Sequence, residues 1–170
     1  VGFTMPRLRK KIAEGEAPGF DFTVKNHSSV PLRINGISCA VAVRDDGIDD
    51  LSKEILDSQR IAPHTGTNSL ITPGDEIGGS VLAREALTAE TLKLITDGTQ
   101  HLYFVAVVVY TDTSKQLRMS TTCCRYDVAL DRLVTCNLGD LATGKAISEA
   151  DVAIPRRPLI EFLDFATSAY

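Results

Sequence analysis

Four cysteines, Cys39, Cys123, Cys124 and Cys136, are the side chains of this sequence with the widest range of chemistry. A thiol can act as a nucleophile, bind a metal ion or form a disulfide. Cys123 and Cys124 are adjacent in the stretch "MSTTCCRYD", which is typical of a β-strand. Successive residues of a strand point to opposite faces, so these two thiols cannot line one pocket. We therefore predict that the adjacent pair is structural and is not a reactive centre.

Three uses of the cysteines stay open. Packing as small hydrophobic side chains is favoured. A disulfide is the second interpretation, for instance between Cys39 and Cys123 or Cys124, and Cys136 could meet another strand, because sequence does not reveal connectivity. A soft-metal site is the third, since Met119 shares the predicted face of Cys123, although the C-x2-C spacing of zinc sites is missing. We expect no bound metal or cofactor, and a small thiol-redox or soft-metal-handling domain is the alternative function.

Other motifs that carry chemistry are missing from the sequence. It contains no G-x-S-x-G nucleophile elbow, no phosphate-binding P-loop and no dinucleotide fingerprint. Gly78-Gly79-Ser80 is interpreted as a turn. The acidic loop 45–50 could hold calcium, but it lacks the spacing of an EF-hand, which favours a solvated loop. We predict no catalytic residue and a non-enzymatic protein, with a hydrolase built from scattered groups left open.

Alternating apolar and polar residues predict the first strands. In "GFDFTVKN" (19–26) every second residue is apolar, as in a half-buried strand. After a polar turn, residues 32–43 resume the pattern, and Gly36 shifts its phase, which indicates a bulge. The short connection between these two strands predicts that they form an antiparallel pair.

Residues 69–130 predict four further strands and a helix. Residues 69–82 form a strand, a Pro-Gly turn and a second strand. The helix has Thr88 as its N-cap, Leu92 and Ile95 on one face, and Gly98 at its C-terminal end. Residues 101–112 and 116–130 then form a hairpin around a polar turn.

These elements predict an all-β, immunoglobulin-like antiparallel β-sandwich, with one or two short helices, over residues 1–136. The stretch 102–110 is apolar on both faces, so something must cover the face that a sandwich normally exposes. A C-terminal extension (137–170) supplies a candidate, because Leu159, Phe162 and Leu163 recur at helical spacing. We predict that the extension packs on the sandwich or on a partner through these three residues.

Composition limits the range of partners. The chain has 170 residues and a formal net charge of -4, which argues against nucleic acid as a partner. Its longest apolar run, 102–110, is too short to span a membrane. Because the sequence begins at Val1 and not at methionine, we expect any targeting or membrane segment to lie upstream of it.

The stretch "LYFVAVVVYTDTSKQLRMSTTCCRYD" (102–127) resembles the closing hairpin of a family of uncharacterised alphaproteobacterial proteins. The matching positions are Leu102-Tyr103, Tyr110-Thr111-Asp112 and Cys123-x-Arg125-Tyr126-Asp127. Departures occur in the turn, at Thr113-Ser114-Lys115, and at the positions on either side of Cys123. "FTVKNHSSVPL" and "LTAETLKLITDGTQHLYF" are similar to further segments of the family.

The resemblance implies an immunoglobulin-like domain on the periplasmic or extracellular face of the inner membrane, anchored by a segment upstream of this chain. Together with the strand pattern and the missing catalytic motifs, it favours protein binding or self-association rather than catalysis. A second resemblance, carried loosely by Asn26 to Leu32, is to the water-stress and hypersensitive-response domain of late-embryogenesis proteins, which is also a sandwich.

Overall fold

The computed structural model describes residues 1–45 and 69–136 and the backbone of residues 145–146. These residues form ten strands and one helix. In chain order they are β1 (Gly2–Phe3), β2 (Arg7–Leu8), β3 (Gly19–Lys25), β4 (Leu32–Arg44), β5 (Ser69–Ile71), β6 (Glu76–Leu82), α1 (Ala89–Thr96), β7 (His101–Thr111), β8 (Leu117–Asp127), β9 (Arg132–Thr135) and β10 (Lys145–Ala146).

The strands form two antiparallel sheets. In the first sheet, β1 and β2 follow one edge of β3, and β6 pairs with its other edge. The second sheet has the order β5-β4-β7-β8, and β9 and β10 both pair with the outer edge of β8. The all-β sandwich predicted from the sequence is thereby confirmed. An immunoglobulin-like arrangement stays a prediction.

The main core lies between the two sheets. Phe20 and Phe22 of β3 meet Phe104 of β7, with ring centroids 5.5 and 6.0 Å apart. Alternate residues of β3 are buried, as the pattern of "GFDFTVKN" predicts. Tilted aromatic pairs at these separations combine a large buried area with favourable ring contacts. The aromatic contacts therefore hold β3 against the middle of the second sheet.

The predicted pairing of β3 with β4 is wrong, because these strands belong to different sheets. The cause lies in the connection between them, where the buried Asn26 side chain donates from Nδ2 to the carbonyls of Val30 (2.9 Å) and Ile71 (3.1 Å). The chain therefore crosses over the end of the core in an arch. The strands β5 and β6, joined by a turn at Thr72–Asp75, are divided between the sheets in the same way.

The predicted hairpin and helix are confirmed. β7 pairs with β8 from Tyr103–Arg125 to Thr111–Leu117. The helix α1 has Thr88 as its N-cap, whose side chain accepts from the Thr91 amide at 3.0 Å, and Gly98 follows it with φ of +74°. The predicted second strand of the hairpin is three residues too long, since β8 ends at Asp127. A turn follows it, in which the Leu130 amide donates to Asp127 Oδ1 at 3.0 Å.

Gly78-Gly79-Ser80 lies inside β6, so its interpretation as a turn is wrong. A Cβ atom added at Gly79 would stand 2.6 Å from Cζ of Phe22. The glycine therefore leaves room for a core aromatic ring beside the strand. The bulge predicted at Gly36 is present, as a register shift between Ile34 and Gly36 where β4 pairs with β7.

Candidate functional site

The two faces of the hairpin β7–β8 are both buried. One face contributes Phe104, Val108 and Cys124 to the core between the sheets. We call the opposite face the outer face, and its buried side chains are Tyr103, Val105, Val107, Met119 and Cys123. The apolar pattern of 102–110 predicts such double burial, and the structure confirms it.

The outer face is built from neighbouring strands of the second sheet. Ala40 of β4, Val105 of β7 and Cys123 of β8 lie side by side across the strands. The half-buried residues packed against this face are Ala40, Ala42, Val109 and Cys136. Among the described residues, the second sheet itself supplies the members of this apolar cluster.

The four cysteines divide into two pairs, one on each face of the second sheet. Cys39 and Cys124 belong to the core between the sheets, whereas Cys123 and Cys136 belong to the outer face. Cys123 and Cys124 therefore point to opposite faces, as the strand geometry requires. The structure does not bring Cys39 to Cys123, and all four cysteines are present as free thiols.

Burial governs the chemistry of the two inner thiols, Cys39 and Cys124. It raises the pKa of Cys39 to about 12 and that of Cys124 to about 11. Cys124 Sγ also lies 3.6 Å from Sδ of Met5, at the margin of the core. Thiols with raised pKa values carry little thiolate at neutral pH and are poor nucleophiles. The inner pair therefore serves in packing.

The outer thiols interact with each other. The Cys136 amide donates to the Cys123 carbonyl at 3.0 Å, which places the two residues opposite each other on adjacent strands. The interaction between their side chains raises the pKa of the Cys123 thiol and lowers that of Cys136. The positive charge of Arg125 lowers the pKa of Cys136 further.

This pairing was missed by the sequence analysis. The turn after Asp127 is the signal that could have predicted it. Cys123 and Cys136 lie the same number of residues before and after the centre of this turn, so they face each other across the hairpin. Across residues 1–45 and 69–136 no cluster of three or more histidine, cysteine or acidic side chains is arranged to hold a metal ion. Met119 shares the face of Cys123, but four residues along the strand separate them by roughly 13 Å, too far for a shared ion.

A surface cleft of about 480 Å³ lies beside three basic residues near the N-terminus. Its walls include Arg9, Lys10 and Lys11. Arg9 pairs with Asp21 at 3.3 Å, and Lys10 lies 3.8 Å from Glu16. These ion pairs are solvent-exposed, in accord with a solvated edge.

Several predicted site residues lie outside the described part of the chain. They are Leu159, Phe162 and Leu163 of the extension and positions 46–50 of the acidic loop. The first residue of that loop, Asp45, is described, and it accepts a hydrogen bond from Gln100 Nε2 at 2.9 Å. Within the described ranges, no helix has the length and apolar character needed to cross a bilayer.

Comparison with known proteins gives little further information. No family model matches the chain, and no curated protein matches it. A solved structure described as a protein from Archaeoglobus fulgidus aligns with 81% of this chain and 99% of its own, at 10% identity and a TM-score of 0.38. A similarity of this size supports no functional argument.

Proposed function

We propose that this protein is a non-enzymatic β-sandwich module that works through protein association, as part of a membrane-anchored bacterial protein. The apolar segment 158–166 of the same chain covers the outer face. The docked segment forms a third layer, which offers its polar side to a protein partner.

The burial of the outer face carries this proposal. Val105 has no exposed surface and Cys123 only 1%, although their own strands cannot shield side chains that stand perpendicular to the sheet. Large contiguous apolar faces are rarely left in contact with water. Such burial needs a covering layer, which the described elements do not supply.

The strand β10 supports the choice of the C-terminal extension as that layer. Lys145 and Ala146 pair with Met119 and Arg118 at the outer edge of β8. The chain therefore returns to the margin of the outer face after residue 136, with residues 147–170 still to follow. The spacing of Leu159, Phe162 and Leu163 gives that remainder an apolar side suited to the face.

The polar groups of the described residues support a non-enzymatic role. Their carboxylates form surface ion pairs and turn hydrogen bonds, such as Lys25 with Glu76 (2.8 Å) and Asp75 with Thr72 (2.6 Å). An active site would bring several polar groups together in an apolar pocket. The extracytoplasmic and membrane-anchored setting rests on the resemblance of residues 102–127 to the alphaproteobacterial family.

The test uses two matched double variants of the full chain. We expect Phe162→Ser with Leu163→Ser to lower the free energy of unfolding by about 2 kcal/mol or more, because apolar burial is lost. We also expect self-association of the uncovered face in light scattering. Glu161→Ser with Asp164→Ser, on the other side of the segment, should leave both measurements near those of the parent.

Two outcomes would contradict the proposal. Parental stability and association state in the apolar variant would remove the segment from the outer face. A parental dimer that the apolar variant dissociates would assign the covering segment to a second copy instead.

A further inference from the structure

Cys123 and Cys136 lie at a backbone spacing that suits a disulfide. They occupy opposite positions on β8 and at the end of β9, joined by the backbone hydrogen bond from the Cys136 amide. The Cα atoms of such a hydrogen-bonded pair are about 5.5 Å apart. Disulfides span Cα separations of roughly 4.4–6.8 Å, which include this one, and Cβ separations of about 3.5–4.5 Å, so the two side chains need to approach each other by about 1 Å.

The two thiols differ in access. Cys123 is buried in the outer face, whereas Cys136 at the sheet edge is half-buried. A reagent in solution therefore reaches Cys136 first. The interaction with the Cys123 side chain and the positive charge of Arg125 both lower the pKa of the Cys136 thiol, which favours its thiolate.

We propose that Cys123 and Cys136 are a reversible redox pair, in which Cys136 attacks a low-molecular-weight disulfide and Cys123 resolves the product. This inference goes beyond the association role proposed above and does not depend on what covers the outer face.

The reaction proceeds in two exchanges. The Cys136 thiolate attacks one sulfur of the small disulfide, whose S–S bond breaks, giving a mixed disulfide and one thiolate that takes up the Cys136 proton. Cys123 then loses its proton and attacks Cys136 Sγ, and the second small thiolate leaves with that proton. The protein loses two protons and two electrons, and the small disulfide is reduced to two thiols. A reducing thiol in excess reverses both steps.

The inner cysteines are the natural controls. Cys39 and Cys124 are separated from the outer pair by the sheet itself, and burial raises the pKa of each thiol. They should stay reduced while the outer pair is oxidised.

The experiment exposes the folded full chain to oxidised glutathione, then alkylates the remaining thiols in denaturant and maps the products by mass spectrometry. We expect a Cys123–Cys136 bond and two alkylated cysteines, Cys39 and Cys124. The closed loop of about 14 residues should raise Tm by about 5–10 °C.

Variants test the order of the two exchanges. Cys123→Ser should accumulate the glutathione adduct at Cys136, whereas Cys136→Ser should slow modification of Cys123 by at least tenfold. Cys124→Ser should form the same disulfide as the parent. The near-isosteric serine variants can be checked for folding by circular dichroism. A bond that involves Cys39 or Cys124, equal reactivity of Cys123 in Cys136→Ser, or four thiols that react only after unfolding would each overturn the proposal.

Discussion

The buried side chain of Asn26 joins the end of β3 to both neighbouring loops. Its Nδ2 donates to the carbonyls of Val30 and Ile71, and its Oδ1 accepts from the amide (3.0 Å) and hydroxyl (2.7 Å) of Ser28. Only 1% of the residue is exposed. Because buried polar groups are costly when unpaired, this one side chain determines how the chain crosses between the sheets.

We predict that Asn26→Ala lowers the free energy of unfolding by about 2–4 kcal/mol, because the buried Asn26 side chain loses its hydrogen bonds to Val30, Ile71 and Ser28. Asn35→Ala is the matched control, since half-buried Asn35 makes a hydrogen bond to Thr111 Oγ1 (2.7 Å). Its expected cost is about 1 kcal/mol. Urea unfolding with a constant m-value measures both. Similar losses in the two variants would contradict the role of Asn26 in the crossing.

At the residue scale, the sequence predicts the structure correctly where local geometry decides it. The division of Cys123 and Cys124 between the two faces follows from the two-residue period of a strand alone. The partner of Cys123 could not be predicted in the same way. It depends on where β8 ends, and the apolar Val128 and Leu130 obscured the turn that begins after Asp127.

The contact between β6 and β3 shows how one element fits another. Gly79 lies opposite Phe22 in the sheet and leaves space for its ring. A Cβ atom built at Gly79 would lie within 3.1 Å of three carbons of that ring. At the neighbouring Gly78 the nearest atom to such a Cβ is the Phe22 carbonyl oxygen, at 3.8 Å. The two glycines therefore have different roles in one strand.

We predict that Gly79→Ala destabilises the protein by about 1–3 kcal/mol, because the added methyl group displaces a buried ring. Gly78→Ala is the control, and its effect should lie within about 0.5 kcal/mol of zero, since the space is open. Thermal unfolding followed by near-ultraviolet circular dichroism measures stability and aromatic packing together. A larger loss at Gly78 than at Gly79 would show that ring packing does not govern this strand.

The positions of the helix and strands along the sequence were easier to predict than the pairing between strands. Caps and turns, such as Thr88 and Gly98 around α1, are local signals that survive in the structure. The alternation in β3 and β4 likewise identifies which residues are buried, but it contains no information on which strand lies alongside. The short strands β1 and β2 escaped prediction because two-residue pairings have no measurable period.

At the scale of the whole molecule, the outer face gives the fold a second apolar surface besides the core. If the extension covers it, stability depends on contacts between segments far apart in the sequence. Val105 lies on this face, while Val128 lies in the turn after β8 with 38% of its surface exposed. The same substitution at both positions therefore compares the stability contributed by a buried valine with that contributed by an exposed one.

We predict that Val105→Ala costs about 2 kcal/mol and Val128→Ala less than about 0.5 kcal/mol. In the Phe162→Ser, Leu163→Ser background, the cost of Val105→Ala should fall to about half, because the covering side chains are already lost. Denaturant unfolding of the four proteins in this cycle provides the coupling energy. Strictly additive losses would place Val105 and the extension in separate parts of the molecule.

The adjacency of Cys123 and Cys124 also gives β8 an internal marker of correct assembly. If the hairpin of β8 and β9 closed one residue out of register, Cys136 would lie opposite Cys124 instead of Cys123, and the side chains of β9 would all change faces. A misassembled molecule would then crosslink through the wrong member of the doublet. Peptide mapping of oxidised material thus reports the fraction of a preparation whose hairpin closed in the wrong register, a population that bulk spectroscopy would average away.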